Sequence, residues 1–414
     1  MLQSRLFTKT FKETPKEEKS INAQLLERGT FIYKNSAGVY TLLPLGWKVM
    51  QKIIQIIREE MNTIGGQELF MPALHDKKYL SATGRWDMDV VYKVAGGKGE
   101  EPSYNISWTH EEISTEIASH FINSYKDLPF SFFQFQTKFR NEPRAKSGLL
   151  RGKEFMMKDL YSFHVDEKDL DRFYGEVKGA YQKVFRRCGL ETVYTLAGGG
   201  DFTNNFTHEF QVLSPAGEDT IYVCSKCGYA ENKEITKLAT GDRCPKCVGK
   251  VGEHKAIEVG NIFRYGDKYS KAFNLQFVDE KGNKKLVMTG AYGIGLSRSM
   301  GTIVEVYHDQ KGIIWPKSVA PFNVHLVQIE NSSKVKKIAE RVYQDLKKSG
   351  VEVLYDDRAN KTAGEKFAEA DLIGIPIRLV VSEKTLSKNS VEIKERSSEK
   401  ARLVKIKDVI LNVR

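Results

Sequence analysis

Apolar residues recur at helical spacing between Pro44 and Gly66 and predict a long amphipathic helix. The residues on its apolar face are Val49, Ile53, Ile56, Ile57 and Met61. Glycine favours the left-handed conformation that ends many helices, so we expect this helix to stop at Gly65 and Gly66. The following segment QELFMPAL is a short strand pattern that ends at Pro72. Proline cannot donate to a central ladder, which places this strand at a sheet edge or an interface.

Strict alternation between Ser131 and Arg140 predicts a β-strand with one aromatic and one polar face. The aromatic face is expected in the core, and the polar face, with Gln134, Gln136, Lys138 and Arg140, toward a polar ligand. After the turn-like NEPRAKSG, residues 149–164 read as the returning strand of an antiparallel pair. A further strand, KLVMTG, leads through the glycines of GAYGIGLSR into a predicted helix.

Beyond Pro316 and Pro321 the periodicity changes, which indicates a domain boundary. The strand patterns NVHLVQI, VEVLYDD and IRLVV alternate with helical stretches, as in a small α/β domain with a largely parallel or mixed sheet. A chain of 414 residues has room for two or three such domains.

The amino-acid composition indicates which class of partner the protein could bind. The formal charge of +11 is typical either of a protein that binds a polyanion such as nucleic acid or of a merely soluble basic surface. There is no run of 18 apolar residues, and the first 20 residues lack the apolar centre of a secretory signal. We therefore expect a soluble cytoplasmic protein without membrane contact.

Four of the five cysteines form two C-x-x-C pairs. Cys224 and Cys227 are separated from Cys244 and Cys247 by a spacing typical of a four-thiolate zinc site. Four protein ligands leave no open coordination position, so the predicted Zn²⁺ is structural; chance pairing or a disulfide is the alternative.

The first candidate ligand-binding residues lie in the segment SWTHEE and at the end of the predicted strand between Ser131 and Arg140. Thr109 and Glu111 either cap a helix or offer a carboxylate to a substrate ammonium. The planar N–H donors of Arg140 suit a phosphate or carboxylate, with a surface pair to Glu142 as the alternative.

Two further segments suit a nucleotide. The glycines of TGAYGIGLSR permit close backbone approach, and Arg298 on the next helix either meets a terminal phosphate or is solvated. Glu209 and Gln211 share one face of the strand THEFQV, while His208 lies on the other. A carboxylate beside a triphosphate is a natural Mg²⁺ ligand, although a surface Glu would look the same.

Together these segments resemble bacterial-type prolyl-tRNA synthetases over essentially the whole chain. Residues 44–74 resemble class II motif 1, which builds the dimer interface of that family. FRNEPRAKSGLLRGKEFMMKDLYSFH resembles motif 2, and TGAYGIGLSR resembles motif 3. The resemblance implies an α+β class II catalytic domain with an antiparallel sheet (1–217 and 258–315), a zinc-ribbon-like insertion (218–257) and an α/β anticodon-binding domain (321–414).

The resemblance also implies an activity, the formation of prolyl-adenylate from L-proline and ATP with Mg²⁺ and its transfer to tRNA(Pro) by a homodimer. Catalysis would fall to Arg140 and Arg298. The implied proline-binding residues are Thr109, Glu111, Arg140, His164 and His208. The implied ATP-binding residues are Arg140, Glu142, Phe155, Glu209, Gln211 and Arg298. The implied anticodon contacts are Asp357, Arg358, Gly364, Lys366 and Phe367.

One departure from that family concerns editing. Many bacterial members carry a large editing domain between motifs 2 and 3, whereas this chain has only residues 218–257 there. A proline pocket rejects alanine by only about 10- to 200-fold, so we expect mischarged alanyl-tRNA to escape hydrolysis in cis. Threonyl, histidyl and glycyl synthetases are the alternatives within the subclass, and a non-catalytic synthetase-like nucleic-acid-binding protein is the alternative outside it.

Overall fold

A computed structural model describes residues 1–13, 18–200, 202–203 and 205–413. The chain forms two compact units. One comprises residues 36–39 and 53–302, and is called the sheet unit here. The other comprises residues 1–35, 40–52 and 303–414, and is called the terminal unit.

The helices follow one another along the described chain as α1 (Ile21–Arg28), α2 (Pro44–Thr63), α3 (Lys77–Ala82), α4 (Glu111–Ser119), α5 (Glu167–Arg187), α6 (Lys268–Ala272), α7 (Leu296–Val306), α8 (Ser333–Lys348), α9 (Ala363–Ile373), α10 (Glu383–Leu386) and α11 (Val409–Val413). The predicted amphipathic helix is α2, and its five apolar residues are all buried. It stops before Gly65, whose φ of 78° is left-handed, as predicted.

The strands of the first part of the chain are β1 (Ile32–Ser36), β2 (Val39–Leu42), β3 (Gln67–Glu68), β4 (Leu74–Asp76), β5 (Lys93–Val94), β6 (Tyr104–Ile106), β7 (Phe130–Phe139), β8 (Glu154–His164), β9 (Val193–Ala197), β10 (Thr207–Leu213), β11 (Asp219–Cys224) and β12 (Ala230–Asn232). The later strands are β13 (Val251–Gly266), β14 (Gln276–Val278), β15 (Lys284–Leu286), β16 (Met288–Gly295), β17 (His308–Asp309), β18 (Gly312–Ile313), β19 (Val324–Gln328), β20 (Val353–Asp356), β21 (Ile377–Val381), β22 (Ser390–Glu395) and β23 (Ala401–Lys405).

The sheet unit is organised by nine strands in the order β10-β9-β12-β11-β13-β16-β8-β7-β3. Antiparallel pairing runs through its centre, where β7 pairs with β8, β8 with β16 and β16 with β13. The predicted antiparallel hairpin is therefore confirmed. β3 lies at the edge, as its proline predicted, but it is only two residues long.

The polar face of β7 is more buried than predicted. Gln134, Gln136 and Lys138 are buried, while Phe135 and Phe139 on the other face are only half-buried. Burial is possible because each polar group has a partner. Gln134 accepts a hydrogen bond from the Met71 N–H at 2.9 Å, and Gln136 donates to the Met71 carbonyl at 2.8 Å.

The glycines of the third motif lie within β16, which runs directly into α7 as predicted. A Cβ on Gly290 would lie 2.4 Å from the Tyr292 hydroxyl, and one on Gly293 would lie 3.1 Å from the Met157 methyl group. Glycine is therefore required here by the close packing of side chains against the strand.

The C-terminal part of the terminal unit is the predicted α/β sheet. Its strand order is β20-β19-β21-β22-β23, with β20, β19 and β21 parallel and β22 and β23 antiparallel. A reciprocal capping box between Thr362 and Glu365 starts α9, and Gly374, with φ 80°, ends it.

Candidate active site

A cavity of about 460 Å³ opens on one face of the nine-stranded sheet. β7, β8, β10, β13 and β16 all contribute side chains to it. The predicted residues that line it are Thr109, Glu111, Arg140, Glu142, Phe155, Glu209 and Arg298. Residues far apart in the chain therefore meet at one site.

One end of the cavity presents an oriented carboxylate. Glu111 is buried and accepts hydrogen bonds from the Thr109 hydroxyl and, at 3.1 Å, from the Tyr265 hydroxyl. The capping alternative for Thr109 is wrong, because the residue at the helix N-cap is His110. Arg85, which sequence reasoning missed, lies 3.5 Å from Glu111 and is held mainly by Glu112.

Two arginines, Arg140 and Arg298, line the cavity and lie close enough to repel each other. Burial, followed by repulsion from Arg298, lowers the pKa of Arg140. Arg140 Nε is buried and has no hydrogen-bond partner among the residues that the structure describes. Arg298 donates to the carbonyl of Glu258 and to its carboxylate, both at 2.9 Å. Arg140 and Arg298 are both positively charged, and Arg140 Nε is a buried donor without a partner, so an anionic ligand is favoured here.

The flank of the cavity beside Arg140 combines an aromatic ring with a fixed carboxylate. The Arg140 guanidinium lies 5.2 Å from the centre of the Phe155 ring. Glu142 accepts from the Arg144 N–H at 2.9 Å and pairs with Arg151 at 2.9 Å. The predicted alternative, a surface pair between Arg140 and Glu142, is replaced by this pair with Arg151.

The other flank carries a carboxylate pair. Burial and then repulsion from Glu258 raise the pKa of Glu209 to about 8. Gln211 does not line the cavity; its amide lies behind Glu209 and donates to it at 2.8 Å and to Asp219 at 2.9 Å. Glu258 was missed by sequence reasoning, because only the pairing of β10 with β13 brings it close to Glu209.

The two predicted histidines do not line the cavity. His164 is buried, pairs with Asp169 at 2.7 Å and packs against Phe173. His208 stacks on Tyr194, with ring centroids 4.3 Å apart. Strand alternation sends its side chain to the face opposite Glu209. A role for either histidine in binding proline stays a prediction.

A buried ion pair supports the floor of the cavity. Lys138 and Asp159 both line it, and Lys138 Nζ lies 2.8 Å from Asp159 Oδ1 as an ion pair and hydrogen-bonds His110 Nδ1 at 2.7 Å. Burial lowers the pKa of Lys138, and Asp159 opposes that change. Alternation along β7 had singled out Lys138, but its partners come from other elements.

The four cysteines of the C-x-x-C pairs lie together, with all ligand sulfur atoms within 4.8 Å of one another. The Sγ atoms of Cys224 and Cys247 are 3.5 Å apart, and those of Cys227 and Cys244 are 3.7 Å apart. These distances exclude disulfide bonds. Backbone N–H groups of Lys226, Lys246 and Gly249 point at three of the sulfurs.

The predicted anticodon residues lie after β20 and on α9 in the terminal unit. Arg358 is held by Asp356, at 2.7 Å and 2.8 Å, and by Glu369 at 2.8 Å. Lys366 is fully buried and donates to the Gln328 carbonyl at 2.6 Å. Gly364 is exposed in the first turn of α9, and Phe367 lies under the Arg378 guanidinium at 4.6 Å.

Comparison with known proteins places this site in a family. Residues 92–307 match the class II core domain of tRNA synthetases (G, H, P, S and T), and residues 319–414 match an anticodon-binding domain. The chain is 37% identical to the proline–tRNA ligase of Wolbachia pipientis, with 99% of each chain covered. The chain belongs to the prolyl-tRNA synthetase family. The class II fold expected from the motifs, with its antiparallel sheet and its anticodon-binding domain, is thereby confirmed.

Other members of the prolyl-tRNA synthetase family differ in length. The proline–tRNA ligase of Halothermothrix orenii is 31% identical, with 100% of this chain and 99% of that one covered. That alignment spans 564 positions, although this chain has 414 residues, so the relative has segments with no counterpart here. The alignment with the Wolbachia protein spans 421 positions.

The fold is shared with more distant prolyl-tRNA synthetases. The Cryptosporidium parvum enzyme solved with halofuginone and AMPPNP gives a TM-score of 0.80 at 22% identity, covering 95% of this chain and 75% of that one. The same enzyme solved with L-proline and AMP gives 0.79 at 21% identity, covering 95% and 73%. No helix among the described residues combines the length and apolarity needed to cross a membrane.

Proposed function

We propose that the cavity binds L-proline and ATP and joins them as prolyl-adenylate, from which the prolyl group passes to tRNA(Pro). The observation that carries this proposal is that Arg140 and Arg298 line one cavity together with the Glu111 carboxylate and the Phe155 ring. An ammonium, a carboxylate, a triphosphate and a base would each have a complementary partner there.

The roles follow from charge. Glu111, oriented by Thr109 and Tyr265, pairs with the secondary ammonium of proline. Arg140 bridges the proline carboxylate and the α-phosphate, and Arg298 holds the γ-phosphate. Phe155 stacks on adenine and Glu142 accepts from its amino group. Glu209, backed by Gln211, and Glu258 would hold Mg²⁺, which neutralises phosphate charge when bound.

The reaction needs no protein nucleophile. A proline carboxylate oxygen attacks the α-phosphorus in line, and pyrophosphate leaves. Arg140 stabilises the charge that develops on the α-phosphate oxygens. The terminal ribose hydroxyl of tRNA then attacks the prolyl carbonyl carbon, and AMP leaves with the bonding electron pair.

Proline-dependent pyrophosphate exchange tests this proposal, with each of the other amino acids as a control. Exchange with proline alone is expected. Exchange with threonine, histidine or glycine in place of proline refutes the substrate, and absence of any exchange supports the binding-only alternative. Arg140→Ala should abolish exchange while the circular dichroism spectrum stays unchanged; an active Arg140→Ala variant refutes the role of Arg140.

We also propose that Cys224, Cys227, Cys244 and Cys247 bind a structural Zn²⁺. A tetrahedron with Zn–S bonds of about 2.3 Å has sulfur atoms about 3.8 Å apart, close to the 3.5 and 3.7 Å found. Metal analysis of protein purified without chelator should give one zinc per chain. Cys227→Ser should lose it and Cys188→Ser should keep it; zinc-free native protein refutes the site.

The assembly and the location complete the proposal. Phe70 and Leu74, in the segment that resembles motif 1, are 75% and 52% exposed, as expected of residues that a second copy covers in a homodimer. In this proposal the catalytic part comprises residues 1–217 and 258–315, the zinc-binding part 218–257 and the anticodon-binding part 321–414, in a cytoplasmic enzyme. Sedimentation at the mass of one chain refutes the dimer.

A further inference from the structure

The first 13 residues, called the N-terminal arm here, are fixed to the terminal unit at both ends. Leu2 forms a parallel bridge with Tyr355 on β20, and Gln3 is buried with its amide oxygen accepting from His325 Nε2 at 2.8 Å. Further along, the Phe11 N–H donates to the Arg28 carbonyl at 2.9 Å. The arm therefore has one defined path over the unit.

The arm adjoins the residues that we assign to the anticodon. The Ser4 N–H donates to Asp357 Oδ1 at 3.0 Å, and the Ser4 hydroxyl donates to Asp357 Oδ2 at 2.7 Å. Both carboxylate oxygens of Asp357 are thus engaged by the arm. The arm is therefore in direct contact with Asp357, one of the predicted anticodon residues.

The outward face of the arm has the composition of a single-strand nucleic-acid surface. Phe7 is 76% exposed and Phe11 is 62% exposed, with the exposed Lys9 between them. The alternate residues Leu6, Thr8 and Thr10 are half-buried. Arg5 and Lys12 are also exposed, so three basic side chains stand against the single acidic Glu13.

Two exposed phenylalanines on an anchored backbone are costly in water unless something covers them. Unpaired bases stack on aromatic rings, and the phosphates between them pair with Lys and Arg. An alternation of Phe, Lys and Phe at two-residue spacing offers both contacts to consecutive nucleotides.

We propose that residues 5–12 bind unpaired nucleotides of the tRNA anticodon loop and so extend the anticodon-binding domain. The occupant is RNA because the exposed face of the arm is basic and the arm contacts the part of the chain that matches an anticodon-binding domain. The inference rests on the proposed function only in taking tRNA as the substrate.

The test measures binding of a fluorescent anticodon stem–loop RNA to the full-length protein by anisotropy. Phe7→Ala/Phe11→Ala should raise Kd at least about fivefold, the effect of losing one stacked base. Phe121→Ala, which removes a ring that is 72% exposed in the sheet unit, should leave Kd unchanged. An unchanged Kd in the double variant overturns the proposal.

A second variant keeps the test decisive if the arm supports folding. Lys9→Gln/Lys12→Gln changes only exposed side chains and should reduce the slope of log Kd against log salt concentration by about 1.4, since each phosphate contact contributes about 0.7. An unchanged slope overturns the proposal.

Two measurements distinguish this inference from the proposed function and from a dimer interface at the arm. Pyrophosphate exchange needs no tRNA, so wild-type protein that fails exchange but binds the stem–loop through the arm defeats the proposed function alone. Sedimentation distinguishes RNA from a second copy of the chain as the occupant. If the double Phe variant falls from dimer to monomer and keeps its RNA affinity, the arm is an interface between copies and the proposal is wrong.

Discussion

Replacing Lys138 by methionine tests the buried ion pair beneath the cavity. Lys138 is 1% exposed and its ammonium is 2.8 Å from Asp159. Methionine keeps the length of the side chain and removes its charge. The Asp159 carboxylate is then buried without the Lys138 cation, and it retains hydrogen bonds from the neutral donors Gln134, at 2.9 Å, and Tyr161, at 3.0 Å, with His110 Nδ1 3.8 Å away.

The expected magnitude follows from that environment. Breaking a buried ion pair from one side costs about 3 to 5 kcal/mol, and the two remaining donors place this case near about 3 kcal/mol. In a unit of this size each kcal/mol lowers Tm by about 2 to 4 °C, so Lys138→Met should lower Tm by about 6 to 12 °C.

Scanning calorimetry measures the effect, and pH identifies its cause. In the native protein burial raises the pKa of Asp159, but Lys138, His110 and Gln134 together hold it below its usual value. The stability that Asp159 contributes is therefore present above the unfolded pKa and is lost as pH falls through the folded one. Without Lys138 burial raises that pKa, so the difference between variant and wild type should be full at neutral pH and shrink on acidification.

A double variant provides the control. Lys138→Met/Asp159→Asn leaves no buried charge and should be more stable than Lys138→Met alone. The reasoning is refuted if Lys138→Met melts within about 1 °C of wild type, or if adding Asp159→Asn lowers Tm further.

Three other substitutions or assays test separate parts of the molecule. Because the pKa of Glu209 is raised to about 8, the stability of the folded protein falls as pH rises from the unfolded pKa toward 8. In the absence of Mg²⁺, Glu209→Gln should therefore have a higher Tm than wild type at pH 8 and the same Tm near pH 4. A difference in Tm that does not change with pH contradicts this. Gly46→Ala would place a Cβ 2.1 Å from the Phe31 carbonyl oxygen, so it should lower the free energy of unfolding, measured in urea, by about 1 to 3 kcal/mol. Gly175→Ala lies in α5 with nothing within 4 Å of the added Cβ and should raise the free energy of unfolding by up to about 1 kcal/mol. Equal effects of the two substitutions would contradict this packing argument. Alanyl-tRNA(Pro) incubated with the enzyme should decay at its uncatalysed rate, and faster release of alanine would show that editing is present.

Local pattern was sufficient for much of the fold. The 3.6-residue period of α2 and the two-residue period of β7 show which side of each element faces the core. These patterns are readable because burial of the apolar side chains drives folding. Pattern failed where polar residues were buried. Gln134 and Gln136 were expected to face a ligand, but they are enclosed because Met71 satisfies their hydrogen bonds, whereas Lys138 lines the cavity as predicted.

By itself the sequence determined long elements such as α2, β7 and β8, which four cysteines share one spacing, and that Glu111, Arg140 and Arg298 have charges suited to a bound ligand. Only the tertiary structure decided which of these residues meet. Glu209 and Glu258 meet at the cavity because β10 pairs with β13, where Glu258 lies opposite Gln211, and His208 faces away from the cavity because the pleat alternates side chains along the strand. The N-terminal arm beside Asp357 depends on a contact between residues more than 350 positions apart, and no local pattern encodes that contact.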